Sequence, residues 1–168
     1  MKMLLKKPLE GIYYPATRIV FGRPETYLFV LGHMRSGSTL LAHILNSNGD
    51  VCGYGETYLR YAGPRDFGRL ATDVCLTFRR PWLRERIVFD KLLNDDLVLN
   101  EPRFLNARQA RFIFLLREPD ETIASIVENF SRVGLDVNPY GSLEGALEYY
   151  VGRLRSLGSY ARRIGNPE

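Results

Sequence analysis

The stretch from Thr26 to Asn48 constrains this chain more than any other. It runs TYLFVLG, an apolar segment of strand length, then HMRSG, a turn of small and polar residues, then STLLAHILNSN, with Leu40, Leu41, Ile44 and Leu45 at helical spacing. A short apolar run bounded by glycine reads as a buried strand, and apolar residues three and four apart read as a helix. The unit is strand, tight loop, helix, which is how a parallel α/β arrangement begins.

Within it, four residues separate Gly32 from Gly37, and Ser38 and Thr39 follow directly. That is the spacing of a phosphate-binding loop, except that Ser38 stands where a nucleoside triphosphatase needs Lys. A glycine loop entering a helix still presents unpaired backbone N–H groups and the positive end of the helix dipole, so it still holds an anion. The nearest cation is Arg35, inside the loop. Arg35, Ser36, Gly37, Ser38 and Thr39 therefore predict a site for one phosphate-like group rather than a triphosphate tail.

The rest of the chain supplies few competing signals. Its 168 residues are the length of a single domain, 1–168, and 45% hydrophobic with 25% charged residues is a globular balance. No apolar run approaches the roughly twenty residues that span a membrane, and no leader of signal-peptide pattern follows the N-terminal MKMLLKK. A cytoplasmic protein is expected. Cys52 and Cys75 have neither metal-ligand spacing nor the density of a disulfide scaffold, and read as small buried hydrophobes. A net charge of +4 with scattered arginines gives no nucleic-acid stripe, although local positive charge suits an anionic ligand.

In chain order, 1–26 is punctuated by Pro and Gly and reads as an arm packed on the domain. Val51 to Glu56 reads as a second strand with Glu56 at its C-terminal end. Residues 60–86 hold helical stretches broken by Pro64 and Pro81, with Leu70, Val74, Leu76 and Phe78 as expected core and Trp82 after the break. Ile87 to Leu93 reads as a strand carrying Asp90 and Lys91, and 94–111 has no firm assignment. Arg111 to Leu116 reads as another strong strand ending in Arg117, after which Glu118, Pro119 and Asp120 open a helix to about Arg132. A last helix covers Ser142 to Arg163, with Leu143, Leu147, Tyr150, Val151, Leu154 and Leu157 at its apolar spacings. The fold expected is a three-layer α/β P-loop-like domain with a mainly parallel sheet, with two strand ends carrying cations toward one edge.

RSGSTLL at Arg35 to Leu41, together with FIFLLREPDETIASI at Phe112 to Ile126, resembles the two cofactor-binding motifs of sulfotransferases that use 3′-phosphoadenosine 5′-phosphosulfate (PAPS). The resemblance implies that the first loop wraps the 5′-phosphosulfate, and that Arg117 and Ser125, eight residues apart, bind the 3′-phosphate. Guanidinium forks suit phosphate oxygens, and a hydroxyl adds a directed donor. The chain is more closely similar to the branch with tyrosylprotein and bacterial carbohydrate or lipid sulfotransferases, which pairs a loop Arg with a Glu after the second strand and a Lys near the end of a later one. Arg35, Glu56 in GYGET and Lys91 in FDKLL match. The resemblance implies that Glu56 takes the proton of an acceptor hydroxyl while Arg35 and Lys91 stabilise charge on the leaving phosphate, with 3′,5′-adenosine bisphosphate as product and no metal. The acceptor class, whether small molecule, carbohydrate, lipid or peptide, is not readable.

Each residue also has a plainer reading. Glu56 pairs with Arg60 if that stretch is helical, Lys91 snorkels from a strand edge, Arg117 pairs with Glu118 or Asp120, and Ser125 is a small packing residue. His33, beside Met34, and His43, on the far side of its helix, are read as structural. The family's later strand and basic glycine loop have no counterpart in these residues, which implies a fragment, a site completed by a partner or a compact variant, open to self-association. Two other functions remain: a nucleotide-binding module without turnover, and a small-molecule kinase, for which Asp90 is the metal-binding acid to consider.

Overall fold

Four parallel strands, β1 (Thr26–Gly32), β2 (Val51–Cys52), β3 (Ile87–Leu92) and β4 (Ala110–Leu115), lie in the order β2-β3-β1-β4. They belong to a computed structural model that describes residues 24–94, 102–131 and 139–164. The expected N-terminal arm thus lies outside the described residues up to position 23. The register sets Val30 beside both Lys91 and Ile113, and Gly32 beside Leu115. The C-terminal ends of β1, β3 and β4 therefore reach one edge together, and the loops that leave them meet there.

Helices cover both faces. The strand period of two turns Tyr27, Phe29 and Leu31 to one side and Leu28 to the other. On the first side they join Val88 and Leu92 against α2 (Asp66–Thr77), the short α3 (Pro102–Leu105) and the end of α5 (Leu143–Arg163). The Phe29 ring lies within 6 Å, centroid to centroid, of Tyr61, Phe67, Phe104 and Phe112, so Phe29→Ala should cost about 3 to 5 kcal/mol. On the second side Leu28, Val51, Ile87 and Phe89 pack against Ala42 and Leu45 of α1 (Ser38–Asn46). The expected three layers and parallel sheet are what the chain forms.

A third cluster lies at the strand-end edge. There α4 (Pro119–Ser131) contributes Ile123 and Ile126, and the first half of α5 contributes Ala146, Tyr149 and Tyr150; Met34, from the loop after β1, packs against them. Helix α4 starts as expected, with Pro119 at its first position and Asp120 and Glu121 in its first turn. Helix α5 is capped by Ser142, whose hydroxyl accepts the Gly145 N–H at 3.0 Å.

Several apolar assignments turn out differently. Strand β2 ends at Cys52, so Glu56 stands in the loop beyond it. Leu76 is 58% exposed and Phe78 is also exposed, because positions 74, 76 and 78 follow a strand period on a segment that is helical to Thr77. Leu40 is 67% exposed and Ile44 is exposed, since α1 sets Ser38 and Ala42 against the sheet. Leu143 is 69% exposed and Leu147 is exposed too, while α5 buries Ala146, Tyr149, Tyr150, Arg153, Leu157 and Tyr160. The polar tips of Tyr149, Tyr150 and Arg153 explain the rotation, because they reach backbone carbonyls at the strand ends.

Candidate active site

The loop after β1 holds an unusual backbone. Arg35 has φ 62° and Gly37 has φ 86°. A bulky residue in the left-handed region costs roughly 1 to 3 kcal/mol and persists where surrounding bonds enforce it. Those bonds come from α5 and from the loop itself: the Met34 N–H donates to the Tyr149 hydroxyl at 2.7 Å, and the Ser36 N–H donates to the His33 carbonyl at 3.3 Å. The loop then enters α1, whose first turn has no side-chain cap and no acidic residue. Its leading N–H groups keep their partial positive charge. A Cβ on Gly37 would meet nothing within 4 Å, so the turn faces open space.

Glu56 is fixed by its neighbours. At the start of its loop a Cβ on Gly53 would collide with the Phe89 carbonyl oxygen, so only glycine fits. The Asn46 side chain grips Gly53 from both sides, donating to its carbonyl at 2.6 Å and accepting its N–H at 3.1 Å. Gly55 accepts the Lys91 N–H at 3.2 Å. On the other side of Glu56, Thr57 bonds to Asp90 through its N–H at 3.0 Å and its hydroxyl at 2.6 Å. Asp90 also accepts from the Tyr61 hydroxyl at 2.6 Å and the Lys91 N–H at 2.9 Å. Burial pushes the Asp90 carboxyl up to about 6, against the pull of those hydrogen bonds from Thr57, Tyr61 and Lys91. Burial likewise raises Glu56, and the nearby charges of Lys91 and Arg153 partly oppose it. Residues 56–60 are not helical, so Glu56 and Arg60 do not form the helical pair.

The second motif meets the first at the same edge. Arg35 donates from Nε to Ser125 Oγ at 2.9 Å, and Arg117 Nη1 donates to the Arg35 carbonyl at 3.3 Å. Arg117 also holds Glu121 from Nε at 3.0 Å and Nη2 at 2.6 Å, rather than Glu118 or Asp120. Arg35, Gly37, Ser38 and Thr39 from the loop, with Glu56, Lys91 and Arg117, line one cleft of about 340 Å³ whose remaining walls are Met34, Leu93, Asn129 and Phe130. Of the predicted site residues, Ser36 and Ser125 do not line it. Ser125 reaches it through Arg35, and the buried Ser36 hydroxyl has no hydrogen-bond partner among the described residues.

Four residues of this site escaped the sequence reading or entered it only as packing. Tyr149 donates to the Leu93 carbonyl at 2.9 Å, and Tyr150 to the Arg117 carbonyl at 2.9 Å. The buried Arg153 donates to the carbonyls of Gly32 at 2.8 Å and Asn94 at 3.3 Å, and to that of Leu92. His33 bonds to Met34 and to the Arg117 backbone. The one available signal was an arginine four residues from both Tyr149 and Leu157, within the buried stripe of α5.

Cys52 and Cys75 are buried, free thiols. Burial pushes both up to about 11, which suits packing rather than reactivity. No described helix is long and apolar enough to cross a membrane. Comparison of the chain with protein-family models, curated proteins and solved structures returns no match.

Proposed function

We propose that this protein is a sulfotransferase that moves the sulfuryl group of PAPS onto a hydroxyl or amine acceptor. The observation that carries the reading is the meeting of Arg35, Glu56, Lys91 and Arg117, from loops and strands far apart in sequence, around one cleft beside the start of α1. Cations facing an uncapped helix start suit an anionic ligand, and the open side of Gly37 leaves room for one.

In this reading the loop from Arg35 to Thr39 holds the phosphosulfate end, and Arg117 holds the 3′-phosphate, with Ser125 acting on the cleft through its bond to Arg35. PAPS supplies an activated sulfuryl group. Glu56 takes the acceptor proton as the acceptor oxygen forms its bond to sulfur and the sulfur–oxygen bond to the 5′-phosphate breaks, releasing 3′,5′-adenosine bisphosphate. A half-buried carboxylate of raised pKa is a stronger base than a solvated one, and such a group contributes about a hundred- to ten-thousand-fold. Arg35 and Lys91 face the charge that develops on the leaving phosphate. Met34, Leu93 and Phe130 form the apolar part of the cleft.

The kinase alternative is disfavoured by Asp90, which is fully buried with both oxygens occupied by Thr57, Tyr61 and Lys91. A nucleotide-binding module without turnover shares every contact above except the role of Glu56. Thermal shift with 3′,5′-adenosine bisphosphate, ATP and adenosine 5′-monophosphate separates the first pair. At a hundred times its dissociation constant the bisphosphate should add about 2.7 kcal/mol of stability, and a preference for ATP transfers the assignment to the kinase. Transfer of labelled sulfate from PAPS to a panel of acceptors separates enzyme from binder, and turnover that survives Glu56→Ala removes Glu56 as the base.

A further inference from the structure

We propose that His33 is a positioning residue that locks the loop carrying Arg35 to the strand end carrying Arg117, and so sets the distance between the two phosphate contacts. Its imidazole makes one bond to each side. Nε2 lies 3.0 Å from the Arg117 backbone nitrogen, 84 residues away in sequence, and Nδ1 lies 2.9 Å from the Met34 carbonyl. A backbone N–H can only donate, so Nε2 must carry the lone pair and Nδ1 the proton. That tautomer satisfies both contacts, and the imidazolium would lose the acceptor for Arg117.

The surrounding bonds make the lock complete. Met34 gives its N–H to Tyr149 and receives the His33 proton at its carbonyl. Arg117 gives its N–H to His33 and receives the Tyr150 hydroxyl at its carbonyl. Both peptide anchors are thus held at donor and acceptor alike, with His33 as the shared member. The ring is fully buried and meets Tyr150 edge to face at 5.0 Å between centroids. Burial lowers its pKa, opposed by the bond to Met34 and aided by the charges of Arg153 and Arg117. A displacement of 1 Å between two groups that must engage one ligand forfeits much of their joint effect.

The identity of the ligand rests on the sulfotransferase reading, whereas the lock rests on geometry, and the test separates them. Gln at position 33 places its amide oxygen where Nε2 stands and keeps an acceptor for Arg117; Asn places its amide where Nδ1 stands and keeps the bond to Met34 alone. In the full chain, His33→Asn should weaken 3′,5′-adenosine bisphosphate by about tenfold, the worth of roughly one hydrogen bond. It should weaken adenosine 5′-monophosphate, which engages one side, by less than about threefold, and His33→Gln should recover most of the loss. Equal losses for both nucleotides, or a Gln variant no better than Asn, would overturn the proposal. Amide exchange provides a readout without nucleotide: the Arg117 N–H should lose protection in His33→Asn and keep it in His33→Gln, while the Met34 N–H, held by Tyr149, stays protected in both. If the unmodified protein binds neither nucleotide, the sulfotransferase reading fails, and unchanged Arg117 exchange in His33→Asn sinks the lock independently.

Discussion

Arg117 clasps Glu121, in the first turn of α4, through Nε and Nη2 at 3.0 and 2.6 Å. The carboxylate therefore occupies the guanidinium face that a phosphate would use. Both side chains are well exposed, with 40% and 66% of their surfaces accessible, and exposed pairs contribute about 0 to 1 kcal/mol. A phosphate arriving there would have little to displace, yet it would compete.

Glu121→Gln should therefore tighten 3′,5′-adenosine bisphosphate by up to about fivefold, and Arg117→Ala should loosen it by about ten- to a hundredfold. Isothermal titration at low and moderate salt checks both. Weaker binding in the Glu121 variant would show that this carboxylate orients Arg117 rather than competing for it.

Glu56 and Lys91 predict a linked pH effect. Lys91 lowers the Glu56 pKa against the raising effect of burial. Removing the ammonium should raise that pKa further, so Lys91→Met should move the acidic limb of kcat/KM to higher pH. Glu56→Gln should abolish that limb and lower kcat by about a hundred- to ten-thousand-fold. A limb at the same pH in the Lys91 variant would detach it from Glu56.

Asp90 gives a stability test with a definite sign. Burial pushes its carboxyl up to about 6 in the fold from an ordinary 3.8, so the native state holds this proton more tightly than the unfolded chain. Between those values the contribution of Asp90 falls as pH rises, by roughly 3 kcal/mol for a shift of about two units. Asparagine fits the same bonds: its oxygen accepts the Thr57 and Lys91 N–H groups, and its amide donates to the Thr57 and Tyr61 hydroxyls, which reverse their roles. Urea unfolding at pH 4 and pH 7 should show Asp90→Asn gaining on the unmodified protein as pH rises. A constant difference would rule out the raised titration.

Sequence legibility followed the range of the interactions. The apolar run of β1 and the spacing of Gly32, Arg35 and Gly37 are local, and so are the starts of α4 and α5. Arg35, Glu56, Lys91 and Arg117 were legible as a set because two motifs and two strand-end positions were matched together; the cleft they share depends on a register no single segment carries. On α5, Tyr150 and Leu157 are buried as their spacing predicts, whereas Leu143 and Leu147 are exposed because the polar tips of the buried face answer groups far away. Arg153 reaches Gly32 across 121 residues, and Tyr149 reaches Met34 across 115. Leucines at 143 and 147 made the stronger local pattern, and the strand-end backbone decided otherwise.

Arg153 is where that long-range demand can be measured. Its guanidinium caps the carbonyls of Gly32, Leu92 and Asn94, which belong to the ends of β1 and β3 and the residues just beyond. Parallel strand ends leave such oxygens without ladder partners, and burial denies them water. Arg153→Met keeps the length and apolar stem but strips the donors, leaving buried acceptors unmet, so it should destabilise the fold by about 3 to 5 kcal/mol. Arg153→Lys, with one ammonium in place of a fork, should recover part of that loss. The damage should also reach the cleft, because Gly32 opens the loop that carries Arg35, and nucleotide affinity should fall in the surviving Lys variant even where it is fully folded. Urea unfolding and titration of the Lys variant test the two halves separately: a stable Met variant would make the carbonyl cap dispensable, and unaltered affinity in the Lys variant would confine Arg153 to the sheet.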